Sequence, residues 1–118
     1  MKILIKGGRV VDPKNDFDKV ADVLVDNGVI SEIGENINAD GDVTVIDAEG
    51  KIVSPGLVDM HSHLRDPGQE YKEYIESGTR RAAMGGITSI ACMPNTKPVT
   101  DSEPIVTYIK RKAKDVGH

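Results

Sequence analysis

The run Pro55-Gly56-Leu57-Val58-Asp59-Met60-His61-Ser62-His63-Leu64-Arg65-Asp66-Pro67-Gly68 constrains the chain more than any other stretch. It sets two histidines, an arginine and a proline-glycine stop within one short, strand-like segment. On an extended backbone successive side chains point to opposite faces, so Asp59, His61, His63 and Arg65 are expected to share one face and Val58, Met60 and Leu64 the other. An apolar face backed by a chemical one fits a strand of a parallel barrel, whose outward residues pack under helices while inward polar residues gather at the C-terminal mouth. Two imidazoles at i and i+2 of a strand stand side by side, close enough to share a metal ion at about 2.0–2.1 Å per nitrogen. Helical metal motifs use a spacing of four instead. Histidines at this spacing also occur without a metal, so the flanking residues carry the reading. Leu-Arg-Asp-Pro-Gly supplies a cation and a turn where barrel enzymes present substrate-binding groups.

The residues before this run read as short strands and turns. Ile3, Ile5 and Val10-Val11 alternate with polar neighbours; Val20, Val23 and Val25 lead into Asp26-Asn27-Gly28, a tight-turn signal, and Val29–Ile33 returns as the second arm of a hairpin. A polar stretch from Gly34 to Asp42 precedes Val43–Asp47, and Ala48-Glu49-Gly50 turns that run into Lys51–Val53. Strands this short with one apolar face each make part of a small β-sandwich, expected over residues 1–53. After Gly68, the positions Tyr71, Tyr74, Ile75, Gly78 and Ala82 recur at three and four residues, which predicts a helix from Tyr71 to Met84 stopped by Gly85-Gly86, with Glu70 and Glu73 near its positive end. Ile87–Met93 reads as a second buried strand ended by Pro94. Thr100, Asp101 or Ser102 then caps a second helix striped by Ile105, Ile109, Ala113 and Val116, with Gly117 as its expected C-cap. Strand, helix, strand, helix over 54–118 predicts the first two βα units of a parallel sheet. With 118 residues the chain is far short of the ~250 of a full eightfold barrel, so it is expected to be truncated relative to that fold.

Composition narrows the function classes. Fifteen basic against nineteen acidic residues give a net charge of −4, which argues against a nucleic-acid or anionic-membrane surface. Aromatic content of 3% with no tryptophan excludes a base-stacking platform. Cys92 is the single cysteine, so no internal disulfide is possible and a reducing cytoplasm is the expected setting. Lys2 and Lys6 interrupt the N-terminal apolar run, which lacks the core of a secretion signal, and no apolar stretch approaches the ~20 residues that span a bilayer.

The segment Gly56–Glu70 and, further on, Cys92-Met93-Pro94-Asn95-Thr96 resemble the two signature segments of the dihydroorotase family of amidohydrolases. The likeness runs through nearly all of the chain and matches only the N-terminal part of a family member. Hydantoinases and allantoinases resemble it over the His-x-His strand but do not usually carry Leu-Arg-Asp-Pro-Gly together with Met-Pro-Asn-Thr. The resemblance implies an α/β fold with the first units of a TIM barrel beside a β-domain completed by later strands. It also implies a zinc-dependent, reversible cyclisation of N-carbamoyl-L-aspartate to dihydroorotate in pyrimidine synthesis. His61 and His63 would ligate zinc, one or two ions in the full-length enzyme, while Arg65 and Asn95 hold the substrate's free carboxylate. The other ligands and the aspartate that moves the proton would come from later strands, so residues 1–118 alone are expected to be inactive. A homo-oligomer, with association to aspartate carbamoyltransferase, is implied in the same way. Two other readings stand beside it: a short non-catalytic assembly module, and a related cyclic amidase such as a hydantoinase or allantoinase.

Several residues keep alternatives. Arg65 could pair on the surface with Asp66 or Glu70, and Asn95 could be a turn residue after proline. Asp59 is either a second acceptor that orients a histidine ring or a polar group at the barrel floor. Ser62 stands where a valine is common in the family and is expected to face away from the metal. Cys92 is expected to pack as a small apolar residue, and Lys110, Arg111, Lys112 and Lys114 to form a solvated helix face near a negative helix end.

Overall fold

Alternating apolar residues from Ile3 onward build a strand that passes straight through two glycines, β1 (Lys2–Asp12). The computed structural model describes residues 1–118, and the chain divides into two units, Met1–Pro55 and Gly56–His118. In the first unit β1 pairs antiparallel with β2 (Phe17–Asp26), which pairs with β3 (Val29–Gly34). The other edge of β1 takes β4 (Val43–Asp47) and β5 (Ile52–Val53), both parallel. The result is one five-stranded mixed sheet.

Gly7-Gly8 looks like a break in the sequence, yet the pairing continues past it by a register shift between Ile5 and Gly8. Gly7 supplies the positive φ of 69°, and its N–H donates to Asp22 Oδ1 at 2.9 Å. The other Asp22 oxygen accepts from Ile37 N–H at 3.0 Å, so this buried carboxylate fastens both the bulge and the loop after β3. Asn27 and Gly28 both have positive φ, at 50° and 80°, the backbone that a two-residue hairpin demands. Val10, Ala21 and Val23 form the core, with Ile5, Phe17, Val25 and Val53 packed against it.

The second unit alternates strand and helix: β6 (Leu57–Ser62), α1 (Ile75–Met84), β7 (Ile87–Cys92), α2 (Glu103–Val116). β6 and β7 pair in parallel. Leu64, Ile75 and Ile109 make the core, with Cys92, Ile105 and Ala113 against it. No helix is long and apolar enough to cross a membrane.

One local expectation needs correction. The first helix starts at Ile75 and not at Tyr71. Residues 69–72 are spent in turns, Gln69 N–H to Arg65 O and Lys72 N–H to Gln69 O, and Tyr71 is 81% exposed where a helical stripe would bury it. Glu73 stays outside the helix and gathers its start, accepting from Tyr74 N–H, Ser77 Oγ and the Arg81 guanidinium. Gly117 caps the second helix as expected, donating its N–H to Ala113 O at 2.9 Å from an extended conformation, φ −71° and ψ 157°.

Candidate functional site

β6 and β7 end side by side, and the loops that follow them are laced together. The lacing begins where Met93 N–H donates to Ser62 O at 2.7 Å. Beyond that point Gln69 Nε2 donates to Asn95 O at 3.2 Å, and Lys97 N–H donates to Pro67 O at 2.9 Å. Gly68, with φ 89°, lies so close to the Lys97 carbonyl that a Cβ would come within 1.8 Å of its oxygen. Only glycine fits there. Buried Thr96 closes the second loop by donating to Pro98 O at 2.7 Å, with Thr100 Oγ1 also at 2.7 Å.

His61 and His63 stand on this platform, both exposed, with ring centroids 5.2 Å apart and planes inclined by 57°. His63 Nδ1 lies 2.9 Å from Asn95 Oδ1. The amide oxygen can only accept, so Nδ1 is the donor, which in the neutral tautomer leaves the ring lone pair on Nε2. A histidine oriented in this way is ready to ligate a metal through Nε2. Two imidazoles suit zinc as a borderline ion, and the pair therefore fits as part of a zinc ligand set. No three His, Cys, Asp or Glu side chains group closely enough to hold an ion. A catalytic zinc centre normally takes three protein ligands.

The expected sharing of one face by Asp59, His61, His63 and Arg65 is corrected at both ends. Asp59 turns to its own strand, where Oδ1 accepts from His61 N–H at 2.9 Å and Oδ2 from the Ser62 hydroxyl. These two hydrogen bonds, the hydroxyl's first, hold the Asp59 carboxyl below the usual range. Asp59 thus orients the backbone of His61, not its ring. At the other end β6 stops at Ser62, and Arg65 has φ 62°, so the alternation does not reach it. Arg65 is half-buried, flanked by buried Leu64 and Asp66.

Sequence reasoning missed Asp66, Tyr108 and Lys112. Asp66 is 1% exposed; its Oδ1 accepts from Tyr108 Oη at 3.1 Å and its Oδ2 meets Lys112 Nζ at 2.6 Å. Lys112 therefore does not belong to a solvated face, unlike the exposed Lys110, Arg111 and Lys114. The carboxylate of Asp66, then the Tyr108 hydroxyl, raise the Lys112 ammonium above its usual value. The available signal was the i, i+4 spacing of Tyr108 and Lys112, which puts a hydroxyl and a cation on one helix face.

Comparison with known proteins identifies the family. Residues 50–117 match the family described as Dihydro-orotase-like. Among curated relatives, the dihydroorotase of Geobacter sulfurreducens is 59% identical over 99% of this chain and 28% of its own length. The dihydroorotase of Acetivibrio thermocellus is 61% identical over 98% of this chain and 27% of its own length. The chain thus spans under a third of the length of these relatives. Among solved structures, L-hydantoinase from Arthrobacter aurescens superposes with a TM-score of 0.83 at 34% identity, over 94% of this chain and 24% of that one. D-hydantoinase from Thermus sp. gives 0.73 at 33% identity, over 95% and 24%. With its family match running through the paired histidines and the interlaced loops, the chain belongs to the dihydro-orotase-like family.

Proposed function

We propose that the chain is the N-terminal part of a dihydroorotase, the enzyme that interconverts N-carbamoyl-L-aspartate and dihydroorotate in pyrimidine biosynthesis. In this reading residues 54–118 are the first two βα units of a TIM barrel, and residues 1–53 belong to the neighbouring β-domain. The observation that carries the reading is the contact of His63 Nδ1 with Asn95 Oδ1 across the ends of β6 and β7. It ties the metal-ligand candidate of one signature segment to the substrate-binding candidate of the other.

His61 and His63 would hold zinc, with further ligands supplied by the rest of the protein. Held there, the metal would supply Lewis-acid polarisation of an amide carbonyl and a lowered pKa for a bound water. This chain's own residues do the placing. Arg65 offers a guanidinium fork to the acid group of the substrate. Asn95 gives its amide oxygen to His63, and its Nδ2 remains free to donate to the same acid group. Binding the carboxylate at two donors fixes the ring against the metal side of the site. Residues 1–118 by themselves supply two ligands and are proposed to be inactive. By resemblance to the family, the same proposal includes a cytoplasmic setting, a homo-oligomer and association with aspartate carbamoyltransferase.

The full-length enzyme tests this directly. Dihydroorotate should be turned over, and Arg65→Ala should raise KM roughly 10- to 100-fold, the loss expected for a charged hydrogen bond. A full-length enzyme that opens hydantoins and ignores dihydroorotate would support a second reading, a hydantoinase-type cyclic amidase. That reading draws on the TM-score of 0.83 to L-hydantoinase.

A further inference from the structure

Asp66 is the one charged side chain sealed from solvent in Gly56–His118, and no catalytic role uses it. Its carboxylate is gripped by two residues of α2, Tyr108 at 3.1 Å and Lys112 at 2.6 Å. Lys112 Nζ also donates to Tyr108 Oη at 3.1 Å, which closes the three groups into a triangle. On the other side of Arg65, Leu64 is buried in the cluster with Ile75 and Ile109. Ile105, Tyr108, Ile109 and Lys112 lie at i, i+3, i+4 and i+7, so one stripe of α2 fastens the residue before Arg65 and the residue after it.

Between these two anchors Arg65 has φ 62°, a backbone that side chains bearing a Cβ rarely adopt. Such a conformation persists where its surroundings over-determine it. Here the surroundings are the α2 stripe, the Gln69 N–H bond to Arg65 O at 3.0 Å and the Lys97 N–H bond to Pro67 O at 2.9 Å.

We propose that Asp66, Tyr108 and Lys112 are positioning residues for substrate recognition: the buried Asp66–Lys112 pair fixes the left-handed turn at Arg65 and so sets where its guanidinium meets the substrate's acid group. The proposal rests on the reading of Arg65 as the carboxylate-binding residue. A helix that touches no substrate thereby tunes affinity for it.

Steady-state kinetics with dihydroorotate and zinc content are to be measured on the full-length enzyme carrying Arg65→Ala, Lys112→Met, Lys112→Arg or Tyr108→Phe. Lys112→Met is expected to raise KM ~10-fold with kcat within about twofold and zinc content unchanged. Lys112→Arg keeps the charge and should restore most of the loss. Tyr108→Phe keeps the ion pair and removes two hydrogen bonds, the one to Asp66 and the one from Lys112, so KM should rise ~3-fold. If Arg65→Ala raises KM while Lys112→Met and Tyr108→Phe leave it alone, the positioning role is overturned and the role of Arg65 stands. If Arg65→Ala leaves KM unchanged, both fall. A parallel loss of kcat and zinc in Lys112→Met and Tyr108→Phe also overturns the proposal, because it marks general damage. Should Lys112→Met fail to fold, Tyr108→Phe decides by the same KM criterion.

Discussion

Single residues carry sharply different loads in this chain. Gly68 permits a backbone contact that no other residue allows, with φ 89° and the Lys97 carbonyl in the space of its missing Cβ. Gly68→Ala should destabilise the protein by more than about 2 kcal/mol through strain and a displaced loop, read as a lower urea midpoint. Glu73 works through charge. The Ser77 hydroxyl first, then the Tyr74 N–H and the Arg81 guanidinium, hold its carboxyl below the usual range. A depressed carboxylate contributes stability that is present above its unfolded value of ~4.3 and lost as pH falls through the lower folded value. Glu73→Gln should therefore flatten the acid limb of a stability-versus-pH curve below about pH 4, and an unchanged limb would contradict the assignment. Lys112 has the opposite sign. Its raised ammonium contributes stability present below its unfolded value of ~10.4 and lost as pH rises through the folded value. Lys112→Met should remove that alkaline loss, checked by thermal melts taken from pH 8 to 11.

At the scale of elements, legibility followed the period of the apolar pattern. Val43–Asp47 was readable as a strand and forms β4 with the same bounds, and Asn27-Gly28 makes the hairpin turn that its side chains permit. Tyr71 and Tyr74 matched a helical spacing by coincidence; the turns that follow Arg65 outcompete helix there, and both rings stay exposed. Arg65 was expected to continue the alternation of β6, and a left-handed residue is invisible to a rule built on extended backbone. The Asp66–Lys112 pair was hidden for another reason: it joins positions far apart in sequence, and a lysine among lysines looks solvated until the fold buries its partner. The helices themselves hang on few residues. Ile75, fully buried at the start of α1, packs on Leu64 and Ile109. Ile75→Ala should cost about 2–5 kcal/mol in chemical denaturation, since the cavity lies where α1, α2 and the loop after β6 meet.

For the whole molecule, the two signature segments were separately legible, and the fold explains why they occur together. One runs through β6 into the loop after it and the other leaves the end of β7, its neighbour in a parallel sheet, so their loops share backbone hydrogen bonds and set His61, His63 and Asn95 on one platform. Under the proposed function this platform is the N-terminal share of a metal-dependent active site. Its most direct test is zinc stoichiometry in the full-length enzyme, wild type beside His61→Ala and His63→Ala, by metal analysis after dialysis. The account predicts that each variant loses bound zinc and dihydroorotate turnover while remaining folded. Full zinc retention in both folded variants would contradict it.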